Sequence, residues 1–190
     1  MDDLILGVDP GLANTGWALL RDGRAIVDWG TIRTPPGQTA PRLVELVRAL
    51  RDAIAPYPVR EAALEELFMG KNATSGIAVA QARGAILAAL GGAGVAVHEY
   101  TPAQVKAVLT GYGSAPKQQV MRMVAAQVED PESARPDRPA ISDHAADAAA
   151  IAICHARSRR LRRLSGGEGG RTLAEAAQQT LERARRVRHA

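Results

Sequence analysis

The stretch "LILGVDPGLANTGWALL", Leu4–Leu20, sets the frame of the fold. Leu4, Ile5, Leu6 and Val8 place apolar side chains on both faces of one strand, as expected for a strand covered on both sides. That strand ends on a carboxylate, Asp9, and Pro10-Gly11 then stops it. An acid at the tip of a buried strand sits on a rigid support, which suits a ligand or catalytic group. Asp before Pro-Gly is also an ordinary turn former, so Asp9 alone decides nothing.

Reading outward, Thr15–Leu20 and Ala25–Arg33 flank "RDGR", whose Asp22-Gly23 pair is a strong hairpin signal. "TPPGQTAP" is a loop, and the amphipathic helix after it carries Leu43, Leu46, Val47 and Leu50. "PYPVREAALEELF" leads into a strand ending near Glu65, an Ala-rich helix covers residues 73–90, and "GVAVHEY" is a further strand. Thr101-Pro102 caps the next helix, with Pro at its first position. After "GYGSAP", Ser114 is expected to cap a helix over Lys117–Val128. "EDPESARPDRPA" is a Pro-rich connector, and Ser142 is a good N-cap for a helix from Asp143 to about His155. Three strands followed by alternating helices and strands, then helices, predict an α/β domain with a mixed five-stranded sheet flanked by helices.

Composition bounds the function. The apolar fraction is 46% and the aromatic fraction only 3%, so Ala and Gly must do much of the close packing. "MDDLILG" has no basic leader pattern, and the longest apolar run, Gly84–Val97, is shorter than the roughly 20 residues that span a bilayer. Cys154 is the only cysteine, which excludes an intrachain disulfide. A cytoplasmic protein with no membrane contact is expected. The net charge of +4 is uneven: residues 158–190 carry nine Arg against three Glu, while residues 1–157 are net acidic. We therefore expect a domain over 1–157 and a basic, partly helical tail over 158–190. The tail is a candidate for extra polyanion affinity, in which case its removal would flatten the salt dependence of binding.

Four places offer ligand chemistry: Asp9, the Glu65-Glu66 pair, and Asp143, His144 and Asp147 in the first turns of the last helix. His144 and Asp147, three apart, share a helical face, and so do Asp143 and Asp147. Carboxylates gathered in one pocket repel, and a cation relieves them. Hard oxygen donors favour Mg²⁺ or Mn²⁺, and two such ions can drive hydrolysis of a phosphodiester. Alternation along residues 62–64 does not separate Glu65 from Glu66, because all three are apolar.

Four blocks, "ILGVDPGLANTGWA", "ALEELFMGKNATSGIAVAQARGA", "VHEYTPAQVKAVLTGYGSAPKQQV" and "SDHAADAAAIAICHA", carry a family resemblance. In order and spacing they resemble the signature blocks of the bacterial RuvC-type Holliday junction resolvases, over residues 4–157. The resemblance implies a ribonuclease H-like fold and a homodimer that makes paired symmetric cuts in four-way DNA junctions. It implies two Mg²⁺ or Mn²⁺ ions per site, 5′-phosphate products, and a branch-migration motor complex of the RuvA–RuvB type as partner. Carried over residue by residue, it implies Asp9, Glu65, His144 and Asp147 as catalytic metal ligands, preferring Glu65 to Glu66. Some members carry Asp where this chain has His144; imidazole is softer, which predicts a lean toward Mn²⁺.

The resemblance further implies DNA contacts for Phe68, Lys71, Arg83, Lys106 and Lys117. Phe68 is the only Phe, and it would stack on bases at the junction centre. Lys71, Lys106 and Lys117 are the only lysines among 24 basic residues, and all three fall within the matching blocks. The 73–90 helix, with Ala78, Ala82, Gly84, Ala85 and Ala88, is the expected dimer contact. Three rival readings remain open: an actin-like or sugar-kinase phosphate loop, which needs a second such loop; a ribonuclease H-like nuclease for another nucleic acid; and a non-enzymatic junction binder, which would not need four ligands.

Overall fold

The computed structural model describes residues 3–67, 73–130 and 140–164. Strands β1 (Leu4–Asp9), β2 (Asn14–Arg21) and β3 (Ala25–Arg33) form an antiparallel meander. Helix α1 (Thr39–Ile54) leads to β4 (Glu61–Glu65), and α2 (Ala73–Gly92) leads to β5 (Ala96–Tyr100). Both later strands run parallel to β1, giving one mixed sheet in the order β3-β2-β1-β4-β5. Helices α3 (Pro102–Thr110), α4 (Lys117–Gln127) and α5 (Asp143–Leu164) complete the chain. No described helix is long and apolar enough to cross a membrane.

The sheet divides the core in two. Leu4, Leu6 and Val8 of β1 join Ala62 and Leu64 of β4 on one face, covered by Leu46 and Leu50 of α1 and Ala82, Ile86 and Leu90 of α2. Ile5, Ala18 and Ala63 face the other way, against α3, α4 and the alanines of α5. Alternation along β1 therefore puts Asp9 on the α5 face with Ile5 and Gly7.

Turn and cap chemistry follow the sequence closely. Asp22 and Gly23 both take left-handed φ, 53° and 64°, at the β2–β3 turn. Thr101 caps α3 in a reciprocal box: its hydroxyl accepts from the Gln104 N–H, and the Gln104 side chain accepts from the Thr101 N–H. Ser142 Oγ accepts from the Ala145 N–H at 3.2 Å and lies 2.7 Å from Thr31 Oγ1, which ties the start of α5 to β3.

Two expectations are corrected. The N-cap of α4 is Pro116, with no side-chain cap bond, so Ser114 does not cap it. Ser114 lies two residues before the cap position: Ala115 closes a backbone turn onto Tyr112 and Pro116 enters the helix directly. Helix α5 does not end near His155 but runs on to Leu164, through the expected boundary at 157/158. The added turns are anchored: Ser158 is buried, and Arg159 bonds Asp3 and Glu61. The rest of the expected tail, 165–190, lies outside the described residues.

Candidate active site

The site forms where β1 and β4 end side by side. Val8 pairs with Leu64 in parallel register, so Asp9 and Glu65, the next residues, emerge together on the α5 face. The long-range register thus separates the two glutamates: Glu66 is exposed, and its N–H is spent on the Tyr100 carbonyl. Across the antiparallel pair, the neighbour of Asp9 is Gly16.

Glycine at that position lets the helix come down onto the site. A Cβ on Gly16 would lie 2.0 Å from the His144 carbonyl oxygen, and one on Gly7 would lie 2.0 Å from that of Ala148. Both are backbone contacts no side chain could yield to. With Ala145, Ala148, Ala149 and Ala152 buried at the same interface, α5 lies directly on the strands. His144 and Asp147 are thereby carried to the strand ends. His144 Nδ1 lies 3.3 Å from Asp9 Oδ2. Lys117 Nζ donates to Asp147 Oδ2 at 2.7 Å.

A cleft of about 260 Å³ opens beside these groups, lined by Asp9, Glu65, Lys106, Lys117, Asp147 and apolar side chains of α3, α4 and α5. Its electrostatics are strained. Burial pushes the Asp9 carboxyl up, opposed by its bond to His144, and Asp147 pushes it up further. Burial first, then repulsion by Asp9 and Asp147, raises Glu65 to about 7, while Lys106 and Lys117 pull the other way. The bond to Asp147 raises Lys117. Two carboxyls held up by burial and repulsion, with the Asp147 carboxylate and an imidazole at hand, are a donor set that a divalent cation would relieve.

His144 meets Asp9, but no three of these donors lie within 4.8 Å of one another. Among the described residues, the group whose donor atoms all lie within 4.8 Å of one another is instead Glu61, His98 and His155, nearer the start of β4.

The expected DNA-contact residues divide. Lys106 and Lys117 line the cleft. Arg83 is instead committed to the protein, pairing with Glu99 and donating from Nε to the Glu65 carbonyl at 3.3 Å. It ties α2 to the ends of β4 and β5, steadying Glu65 from behind. Phe68 and Lys71 lie outside the described residues.

The profile of the crossover junction endodeoxyribonuclease RuvC family matches residues 5–155. This chain belongs to the RuvC family. The family's crossover junction endodeoxyribonuclease from Chloroflexus aggregans is 46% identical over 155 residues, covering 80% of this chain and 91% of that one. Its counterpart from Rubrobacter xylanophilus is 44% identical over 167 residues, covering 86% and 90%. Thermus thermophilus RuvC, solved in complex with a Holliday junction substrate, superposes with a TM-score of 0.69 at 28% identity, covering 83% of this chain and 95% of that one. The fold is therefore the ribonuclease H-like fold of RuvC, and the chain is an endodeoxyribonuclease of that family. The match sets the phosphate-loop ATPase and the non-enzymatic binder aside. RuvC membership and the strained donor set together support a divalent metal in the enzyme.

Proposed function

We propose that this enzyme resolves four-way DNA junctions by paired, symmetric, metal-dependent phosphodiester hydrolysis, with Asp9, Glu65, His144 and Asp147 as its site residues. The observation that carries the assignment is the register of β1 and β4, which brings two acids to one edge beneath the start of α5. The ions would be Mg²⁺ or Mn²⁺, two per site, held by Asp9, Glu65, His144 and Asp147. Bound ions would supply the charge that lowers the pKa of an attacking water and stabilises the leaving oxygen.

The chain's own contributions are separate. Glu65, pushed up to about 7 by burial first and then by Asp9 and Asp147, would ionise more readily with a cation beside it. Lys106 and Lys117, on the cleft wall, meet the phosphate; Lys117 does so by leaving Asp147, the partner it holds without DNA. Phe68 and Lys71, which follow β4 in the sequence, are proposed to contact DNA as well. The products carry 5′-phosphates that a ligase can seal.

Two opposed cuts need two sites related by a twofold axis, so the working form is a homodimer. Helix α2 supports this: Ala82, Ile86 and Leu90 are buried in its own core, while Ile77, Gln81, Gly84 and Ala88 form an exposed stripe at helical spacing. Nothing lies within 4 Å of a Cβ placed on Gly84, leaving room for a second helix to approach. A branch-migration motor of the RuvA–RuvB type would deliver the junctions, in the cytoplasm where the chromosome lies. The test is a synthetic four-way junction set against linear duplex and an RNA–DNA hybrid, each with Mg²⁺ or Mn²⁺. Paired symmetric nicks in the junction alone are expected. Equal cutting of the hybrid would overturn the substrate assignment in favour of another ribonuclease H-like activity.

A further inference from the structure

A second group of ligating side chains lies away from the cleft. Glu61 starts β4, His98 is on β5 and His155 is on α5, and their donor atoms lie within 4.8 Å of one another. Four residue steps along β4, roughly 13 Å, separate Glu61 from Glu65. His155 is fully buried, stacked on His98 with ring centroids 4.3 Å apart. Its Nε2 faces Glu61 Oε2 at 2.8 Å and its Nδ1 faces the Tyr100 hydroxyl at 2.8 Å.

We propose that Glu61, His98 and His155 form a transition-metal site, with Zn²⁺ as the fitting occupant. Two imidazoles and one carboxylate are a zinc donor set, whereas Mg²⁺ prefers oxygen alone. Burial lowers the proton affinity of both histidines, which favours the neutral imidazole that ligates metal. Zinc bonds of about 2.0–2.2 Å at tetrahedral angles need donor atoms roughly 3.4 Å apart. The His155–Glu61 pair has only to part by a fraction of an ångström, and the third donor is already inside 4.8 Å.

The surroundings suit a ligand histidine. Without metal, the single imidazole proton sits on Nε2 and is donated to Glu61, while the Tyr100 hydroxyl donates to Nδ1. With metal on Nε2, that proton moves to Nδ1 and the same hydroxyl accepts it, so His155 keeps its second bond in both states. Arg159 Nη1 donates at 2.7 Å to Glu61 Oε2, the oxygen that also faces His155, and bonds Asp3, so the carboxylate is held in place and its Oε1 is left as the second donor atom. Arg162 is the other cation that acts on both histidines. His98 is half-buried, which gives an ion access. The bound ion would staple β4, β5 and the second half of α5 together.

The experiment uses the full chain carrying Asp9→Asn, which cripples the catalytic cleft, in excess Mg²⁺ to occupy any remaining oxygen site. Zn²⁺ is titrated by calorimetry, and Co²⁺ is used as the optical probe. One Zn²⁺ per chain with a tetrahedral Co²⁺ spectrum and a raised Tm is expected. Adding His98→Gln, at a half-exposed position that should leave the fold intact, should remove that equivalent and the Tm gain. Tyr100→Phe should weaken binding roughly 10–100-fold, as loss of a ligand's outer partner does. Zinc binding unchanged by His98→Gln, or no zinc bound by the parent, would overturn the proposal.

Discussion

Gly16→Ala tests how the site is assembled, because it changes no ligating side chain and acts on the backbone that carries one, His144. The new Cβ would lie 2.0 Å from the His144 carbonyl oxygen and 2.3 Å from its carbonyl carbon, against 3.4 Å or more for an ordinary contact. The obstruction is backbone on both sides, so the start of α5 must lift by more than an ångström, taking His144 and Asp147 away from Asp9 and Glu65. Misplacing a reacting group by about 1 Å can lower a rate roughly 10²-fold. Overpacking of this kind typically costs about 1–3 kcal/mol, or a Tm lower by roughly 3–10 °C for a chain of this size. The assay is single-turnover junction cleavage with circular dichroism and thermal melting on the same sample. Gly37→Ala serves as control, since a Cβ there meets nothing within 4 Å. Cleavage falling about 100-fold in a folded Gly16→Ala protein is expected. A folded variant that cuts within threefold of wild type would refute the close approach of α5 as the device that seats the site.

Three further outcomes follow from the charges. Glu65→Gln should stabilise the metal-free protein as pH rises: a raised pKa means that ionisation works against the fold between the ordinary 4.5 and about 7. That shift corresponds to roughly 3 kcal/mol, cut to about 1–2 kcal/mol by partial solvent screening, so melting scans should show a Tm gain of roughly 3–6 °C at pH 8 and none near pH 4.5. Lys117→Ala should change Tm by less than about 3 °C, because an exposed ion pair contributes under about 1 kcal/mol, yet slow cleavage at least tenfold; a large Tm loss with normal cleavage would reverse that reading. His98 and His155 resist protonation in the fold, so stability should hold above their ordinary 6.5 and fall as pH drops below it, seen as declining Tm between pH 6.5 and 5, with His98→Gln reducing the decline.

Much of this was readable from local chemistry. The Asp22-Gly23 turn, the Thr101 box and the Ser142 cap each rest on side chains within three residues of the backbone they serve. The choice of Glu65 needed the pairing of β4 with β1, which no local pattern reports, although the family resemblance favoured the same residue. The length of α5 was missed because its sequence turns from alanine to arginine after His155, which reads as a solvated end. Arg159 is satisfied there by Asp3 and Glu61, one at the start of the chain and one on β4. Gly7 and Gly16 stood in the opening stretch, but their purpose depends on a helix more than 120 residues away. The pairing of Arg83 with Glu99 and the Glu65 carbonyl was likewise out of reach of local pattern, since it joins α2 to the ends of two strands.

The central claim is that Asp9 and Glu65, neighbours at two strand tips, carry the hydrolysis. The direct measurement is metal-dependent cleavage of a synthetic four-way junction by wild type, Asp9→Asn, Glu65→Gln and Glu66→Gln, each checked for junction binding. The account predicts full binding by all four, cleavage by wild type and Glu66→Gln, and loss of at least three orders of magnitude in the other two. An inactive Glu66→Gln beside an active Glu65→Gln would contradict it.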